Sequence, residues 1–141
     1  MSRGGVYCLC IGNHRHQRLR VGALGEIEFP QAKYVYVGSA LNGLKPRVLR
    51  HIRVSLGRHP VVHWHIDYLL QAPGVEVEAV YFLETRERLE CWLSSQVSQH
   101  GVAVPGFGSS DCRCGSHLYR VKGFEFLGEL GLQIWPTSLG A

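Results

Sequence analysis

The sequence lacks an apolar run that could cross a membrane, since none approaches the roughly 20 residues that a spanning helix needs. Its N-terminal Met-Ser-Arg-Gly-Gly also lacks the apolar core and cleavage site of a secretory signal. There is no internal repeat and no low-complexity tract. These absences argue against helical membrane, secreted and repeat proteins, and they predict a cytoplasmic location.

A disulfide framework is not expected either. The chain has five cysteines, an odd number, and a reducing compartment favours thiols or metal ligands over disulfides. The charge is also small, because 15 Lys and Arg against 11 Asp and Glu give a net charge of +4. The position of these charges therefore matters more than their sum.

What the sequence does contain is typical of one globular domain. Hydrophobic residues make up 45% and charged residues 18% of its 141 residues. A length close to about 150 residues predicts a single domain. We place that domain at 1–135, followed by a frayed tail at 136–141.

Hydrophobic periodicity predicts a mixed α/β fold with a small, mostly antiparallel sheet and three flanking helices. The predicted strands are 4–11, 33–38 and 75–83, with a hairpin over 18–29 and a C-terminal hairpin whose arms are 117–121 and 124–127. The predicted helices are 44–56, 62–71 and 86–99, and 101–116 is predicted to be a loop.

Two of these helices carry apolar stripes. On helix 44–56, Arg47 and His51 are expected to lie away from the stripe, which consists of Leu44, Val48, Leu49, Ile52 and Leu56. Helix 86–99, with Thr85 as its predicted N-cap, has a stripe formed by Leu89, Trp92, Leu93 and Val97. Glu90 lies about 100° from Leu89, at the edge of that stripe, where its carboxylate can reach a cleft while the helix stays packed.

Two tripeptides on predicted strands stand out together with three side chains on later helices. Gly5-Val6-Tyr7 lies on the first strand and Tyr36-Val37-Gly38 on the strand before helix 44–56. Arg47 and His51 follow one turn apart on that helix, and Glu90 lies on a later one. In this order and spacing the set resembles the GIY-YIG nuclease superfamily.

A narrower resemblance covers residues 4 to about 120. The chain is similar to a small-domain family within that superfamily, whose members occur alone or fused to endonuclease III-type repair enzymes. The segments that carry this resemblance are 34–40, 63–68 and 105–112, together with Cys114 and Ser116-His117-Leu118.

The resemblance implies that the two motif strands are neighbours and that the protein is a metal-dependent DNA endonuclease in repair or processing. Its partners would be DNA and a DNA-repair enzyme. Glu90 would hold one Mg²⁺ or Mn²⁺, since hard cations prefer carboxylate oxygens. Arg47 would bind phosphate oxygens through its planar guanidinium. Tyr7 would orient or deprotonate the attacking water, and Tyr36 would position the site. His51 would either shuttle a proton or donate a hydrogen bond to the phosphate.

A non-catalytic nucleic-acid-binding module is the alternative. Ser39 stands where many superfamily members carry a lysine, and residues 105–111 contain no asparagine where many members have one. Arg47, Arg50 and Arg53 make helix 44–56 the most basic element of the chain, and they are the predicted nucleic-acid contacts under either hypothesis.

A second group of polar residues suggests an additional site. His63, His65 and Asp67 form an H-x-H-x-D pattern, for which a capping or structural role is favoured over metal ligation. Cys112, Cys114 and His117 form C-x-C-x₂-H, and zinc is the alternative to a packed loop with buried thiols. A zinc site would need a fourth ligand from His63, His65 or Asp111. With zinc bound there, the chain would be a zinc-stabilised interaction domain. Cys8, Cys10 and Cys91 are predicted to be small core or surface residues.

Overall fold

The computed structural model describes residues 3–59, 62–109 and 113–136. Its main feature is a six-stranded antiparallel sheet in the order β6-β7-β4-β1-β5-β8, beside a separate hairpin of β2 and β3. The strands are β1 (Gly5–Asn13), β2 (Gln17–Arg20), β3 (Glu26–Phe29), β4 (Ala32–Ala40), β5 (Val75–Glu84), β6 (Gly101–Ala103), β7 (Leu118–Val121) and β8 (Gln133–Ile134). The helices are α1 (Leu44–Ser55), α2 (His65–Leu70), α3 (Glu90–Ser98) and α4 (Phe126–Glu129).

Strand β1 is the centre of the sheet and is buried along its whole length. It pairs with β4 on one side and with β5 on the other, and Tyr7 lies opposite Gly38. The continuous apolar run in the sequence reflects this position, because a strand that is covered on both faces needs no polar alternation. The prediction that the two motif strands are neighbours is therefore confirmed.

Side chains of β1 alternate between two core clusters, one on each face of the sheet. The cluster that contains Tyr7, Leu9 and Ile11 packs against α1 and α2. The cluster that contains Val6, Cys8 and Cys10 packs against α3 and α4. The sheet is thus covered by helices on both faces, and the mixed α/β prediction is confirmed.

Several predicted boundaries differ from the structure. The described residues contain four helices rather than three, and α3 begins at Glu90, so Thr85 does not cap it. Thr85 instead accepts a hydrogen bond from the backbone N–H of Glu87 in the preceding turn. The loop predicted at 101–116 begins with β6. The C-terminal hairpin is formed by β6 and β7, and the last two residues of its predicted second arm, 126 and 127, are the first two of α4.

The buried faces of α1 and α3 also differ from the predicted apolar stripes. On α1 the buried residues are Leu44, Val48, His51 and Val54, whereas Leu56 is 53% exposed. The helix is turned so that His51 faces the sheet, because Tyr7 offers its imidazole a polar partner there. On α3, Leu93 and Val97 are buried, but Trp92 is 43% exposed.

The described part of the chain has no helix that is both long and apolar enough to cross a membrane. Trp135 packs against Phe82 on β5, with ring centroids 4.9 Å apart, so order extends to the end of the predicted domain. The predicted tail lies outside the described residues except for Pro136.

Candidate functional site

A cleft of about 520 Å³ opens where the end of β4 meets α1 and the first turn of α3. The side chains of five predicted site residues line it, and they come from four different elements: Tyr7, Tyr36, Arg47, His51 and Glu90. The other lining residues are Gly38, Ser39, Ala40, Leu41, Asn42, Gly43, His63, Trp64, His65 and Gly108. The fold therefore brings the motif residues together at one place.

The ring of Tyr7 lies across the neighbouring strand at Gly38. A Cβ at position 38 would come within 2.5 Å of the Cζ and Oη atoms of Tyr7. Only glycine leaves this space, since contacts that short do not occur between real side chains. The last residue of the second tripeptide thus lets the tyrosine of the first reach the cleft.

The Tyr7 hydroxyl is the centre of a buried hydrogen-bond network. It lies 2.7 Å from Nε2 of His51, and the Arg47 side chain hydrogen-bonds the same hydroxyl. Burial raises the pKa of Tyr7 well above its ordinary value, and Tyr36 raises it further, while Arg47 lowers it. The Tyr7 hydroxyl is therefore protonated at neutral pH and able to donate to His51.

His51 is neutral in this setting. Burial lowers the pKa of its imidazole to about 3; Asp67 opposes the shift, whereas Arg47 and Arg50 add to it. Its Nδ1 is buried and has no hydrogen-bond partner among residues 3–59, 62–109 and 113–136. The neutral imidazole can accept a hydrogen bond at Nε2 from the Tyr7 hydroxyl, which lies 2.7 Å away.

Tyr36 lies on β4 with its ring edge-on to His51, at a centroid distance of 6.0 Å. Burial raises the pKa of its hydroxyl, and the nearby Glu90 carboxylate raises it further. Gly108, in the left-handed conformation with φ +70°, lets the loop after β6 pass against this ring. Tyr36 is thus a neutral, packed wall of the cleft.

Glu90 supplies the negative charge of the site. It is the first residue of α3, and its side chain is 30% exposed although the helix packs on the opposite face of the sheet from Tyr7. Burial raises the pKa of its carboxyl, but hydrogen bonds from His117 and Ser39 and the charge of Arg47 outweigh burial and lower it. The carboxylate is therefore ionised at neutral pH, with Oε2 lying 2.7 Å from Nδ1 of His117.

Arg47 and Arg50 both lie against the indole of Trp64. Their guanidinium carbons are 4.6 and 4.2 Å from the ring centroid, within cation–π distance. Arg47 also donates to the backbone carbonyl of Ser39 at 3.1 Å. Trp64, which sequence reasoning did not single out, thus orients the guanidinium that lines the cleft. Its sequence signals were its place inside the H-x-H-x-D run and inside segment 63–68, which carries the family resemblance.

Asp67 anchors the second helix. Its carboxylate accepts two hydrogen bonds from Arg50, at 2.9 and 3.0 Å, and two from the backbone N–H groups of His63 and Trp64. Burial raises the pKa of this carboxyl, but these bonds outweigh burial and hold it below its ordinary value. The structure therefore gives Asp67 the capping role that was favoured. The guanidinium of Arg50 is bonded to Asp67, and its predicted contact with nucleic acid stays a prediction.

The remaining predicted residues lie in three different places. His63 lines the cleft, and His65 accepts a hydrogen bond from the N–H of Gly108 at 2.9 Å. Arg53 is exposed and is not among the lining residues. Cys112 and Asp111 lie outside the described residues. His117 is buried beside Glu90, so the predicted second site adjoins the first.

Residues 6–131 match the family model described as Domain of unknown function DUF123. No curated protein and no solved structure matches the chain. Because the matched segment runs from β1 to the end of α4 and includes every residue that lines the cleft, the chain belongs to the family Domain of unknown function DUF123.

Proposed function

We propose that this protein is a metal-dependent DNA endonuclease of the GIY-YIG type that acts in DNA repair or processing. One observation carries the proposal: Tyr7, Tyr36, Arg47, His51 and Glu90 all line one open cleft. Hydrolysis of a phosphodiester needs a positioned water, positive charge for the phosphate and a proton path, and these side chains offer such groups. The proposal includes a cytoplasmic location, where the cysteines stay reduced.

The donor set at the cleft fits a hard divalent cation held by one protein ligand. Glu90 is ionised and partly exposed, and hard cations such as Mg²⁺ take oxygen ligands. A single carboxylate leaves most coordination positions to water and phosphate oxygens, which suits Mg²⁺ or Mn²⁺. When bound, the ion would neutralise charge on the scissile phosphate.

The protein's own residues supply the remaining chemistry. Arg47 is held by Trp64 and by the carbonyl of Ser39, so its guanidinium is preorganised to bind a phosphate oxygen. Tyr7 accepts from Arg47 and can donate to His51. Nε2 of His51 would accept the hydrogen bond of the Tyr7 hydroxyl and so hold the Tyr7 oxygen in position to orient the attacking water.

The test is a cleavage assay on branched, flapped, nicked and damaged DNA duplexes with Mg²⁺ or Mn²⁺ added. We expect metal-dependent cleavage of at least one substrate. Tyr7→Phe and Glu90→Gln should each lower the cleavage rate by about 10²–10⁴-fold, the range typical of lost acid–base or electrostatic groups. The matched controls are Tyr34→Phe, which removes a buried hydroxyl bonded to the Pro30 carbonyl, and Glu87→Gln, which changes an exposed glutamate.

Two results would contradict the proposal. The first is the absence of any cleavage by protein whose circular dichroism and unfolding transition show an intact fold. The second is a Glu90→Gln variant that is as active as the unmodified chain, which would remove the metal role.

A non-catalytic DNA-binding module remains the second candidate, and one contact favours it. Oε2 of Glu90 lies 2.7 Å from His117 Nδ1, and Ser39, which replaces the lysine of many superfamily members, also bonds this carboxylate. These bonds compete with a cation for the same oxygens. Salt-sensitive DNA binding without product on any substrate would favour this candidate over the nuclease.

A further inference from the structure

Three soft metal-ligand side chains meet beside the cleft, and none of them belongs to the proposed nuclease chemistry. Cys91 is the second residue of α3, and Cys114 and His117 lie in the segment before β7. One ligand atom from each lies within 4.8 Å of the other two. The two cysteines are 23 positions apart in the sequence (114 − 91), so the fold brings them together.

We propose that Cys91, Cys114 and His117 bind a zinc ion whose fourth ligand is a water molecule. Thiolate sulfur and imidazole nitrogen are the ligands that Zn²⁺ prefers in proteins. In a tetrahedral centre with Zn–S near 2.3 Å and Zn–N near 2.0 Å, ligand atoms lie about 3.6–3.8 Å apart. Separations of no more than 4.8 Å need a contraction of at most about 1.2 Å to reach this geometry. On binding, the two thiols would release their protons to solvent and the ion would take their place.

The surroundings of His117 agree with this assignment. Its Nδ1 lies 2.7 Å from the Glu90 carboxylate, so we assign the other ring nitrogen, Nε2, to the metal. A histidine that ligates zinc commonly donates its second ring N–H to a carboxylate, which fixes the ring and raises its basicity. His117 is also 1% exposed, so its ring is held in place before any metal binds.

The contrast with the other group of potential ligands in the described chain supports the choice. His14, Glu76 and Glu78 are exposed; His14 contacts Glu76, and Glu78 pairs with Lys33. That group is an ordinary set of surface contacts. The Cys91, Cys114 and His117 cluster is the one with sulfur ligands and a buried histidine.

The zinc ion would join α3 to the segment before β7 at the point where Glu90 enters the cleft. Through His117 it would fix the position of the Glu90 carboxylate. The site differs from the one expected from sequence spacing, because Cys91 comes from a helix more than 20 residues before Cys114. Zinc binding does not depend on nuclease activity, so the two proposals fail separately.

The experiment measures zinc and Co²⁺ binding by the full-length chain, purified without chelator and then titrated with metal after EDTA treatment. We expect one zinc per chain and, with Co²⁺, the near-ultraviolet charge-transfer absorption that only thiolate ligands give. Cys91→Ser and Cys114→Ser should each weaken Zn²⁺ binding by at least about 100-fold. Loss of a residue that only hydrogen-bonds a metal ligand typically weakens binding by about 10–100-fold. Cys91 is exposed, so its replacement leaves the core intact.

Cys8→Ala is the matched control, because that thiol is fully buried in the sheet and should not affect metal affinity. Glu90→Gln should retain the charge-transfer band and lower zinc affinity by about 10–100-fold, as expected for a carboxylate that orients a ligand histidine. Zinc affinity unchanged in both Cys91→Ser and Cys114→Ser would overturn the proposal. So would the absence of thiolate charge transfer with saturating Co²⁺ in folded protein.

Discussion

At the scale of single residues, the missing side chain at Gly38 leaves room for the Tyr7 ring beside the cleft. Gly38→Ala should destabilise the fold by about 1–3 kcal/mol, because a new Cβ has to displace the ring that lies 2.5 Å from it. Urea unfolding followed by fluorescence measures this change. Gly128→Ala is the control: its Cβ would meet no atom within 4 Å, so stability should stay equal or rise slightly.

If Gly38→Ala were as stable as the unmodified chain, the glycine would not be needed for the position of Tyr7. If the variant were destabilised but kept full cleavage activity, Tyr7 would act from another rotamer. The hydrogen bond between Tyr7 and His51 would then not be needed for cleavage.

His51 gives a second prediction at this scale. Its pKa is about 3 in the folded state against an ordinary 6.5, so the unfolded chain binds a proton between these values that the folded chain does not. The His51 contribution to stability is therefore complete above pH 6.5 and is lost as the pH falls towards 3, at about 1.4 kcal/mol per pH unit.

The measurement is the free energy of unfolding from pH 7.5 to pH 4, compared between the unmodified chain and His51→Gln. As the pH falls below 6.5, the free energy of unfolding should decrease more steeply for the unmodified chain than for His51→Gln. His100→Gln, at an exposed side chain, should keep the unmodified pH dependence. A His51→Gln curve parallel to that of the unmodified chain would show that His51 is not buried in its neutral form.

At the scale of elements, the ion pair between Arg50 and Asp67 joins α1 to α2. The Asp67 side chain is fully buried and that of Arg50 is 15% exposed, so this pair is screened far less than a surface pair. Asp67→Ala would remove the buried carboxylate that binds the Arg50 guanidinium and would take the acceptor from two backbone N–H groups. We expect a loss of about 3–5 kcal/mol in the free energy of unfolding.

Glu28→Gln is the comparison for that variant. Glu28 pairs with Arg18 on the exposed β2–β3 hairpin, where solvent screens the charges, so no measurable loss of stability is expected. Equal effects of the two substitutions would mean that the junction between α1 and α2 is held by apolar contacts alone.

At the scale of the whole molecule, the small net charge makes local charge at the cleft decisive for DNA binding. If Arg47 contacts a phosphate, Arg47→Ala should reduce the slope of log affinity against log salt by about 1 and weaken binding to all sequences alike. Fluorescence anisotropy with a labelled duplex at several salt concentrations measures this slope. Arg18→Ala, on the hairpin away from the cleft, should leave the slope unchanged. A salt slope that is reduced by Arg18→Ala and unchanged by Arg47→Ala would place the DNA on the hairpin surface instead of the cleft.

The local sequence determined the parts of this protein whose signal is local. Continuous apolar and β-branched residues are sufficient to specify β1 and β4, and the helical period is sufficient for α1, which ends one residue before its predicted end. The family resemblance carried by the motif residues predicted that Tyr7, Tyr36, Arg47, His51 and Glu90 form one site, and these five side chains line the cleft.

Only the tertiary structure decided which way the elements face and which distant side chains join the site. Helix α1 is turned so that His51 is buried. This orientation is stabilised by the hydrogen bond between His51 and the Tyr7 hydroxyl on β1, 44 positions away. Trp64 and Cys91 carry no local signal, since their partners lie on other elements. Side-chain periodicity encodes burial along one element, whereas hydrogen bonds, cation–π contacts and metal ligation depend on distances between elements, which the folded chain alone sets.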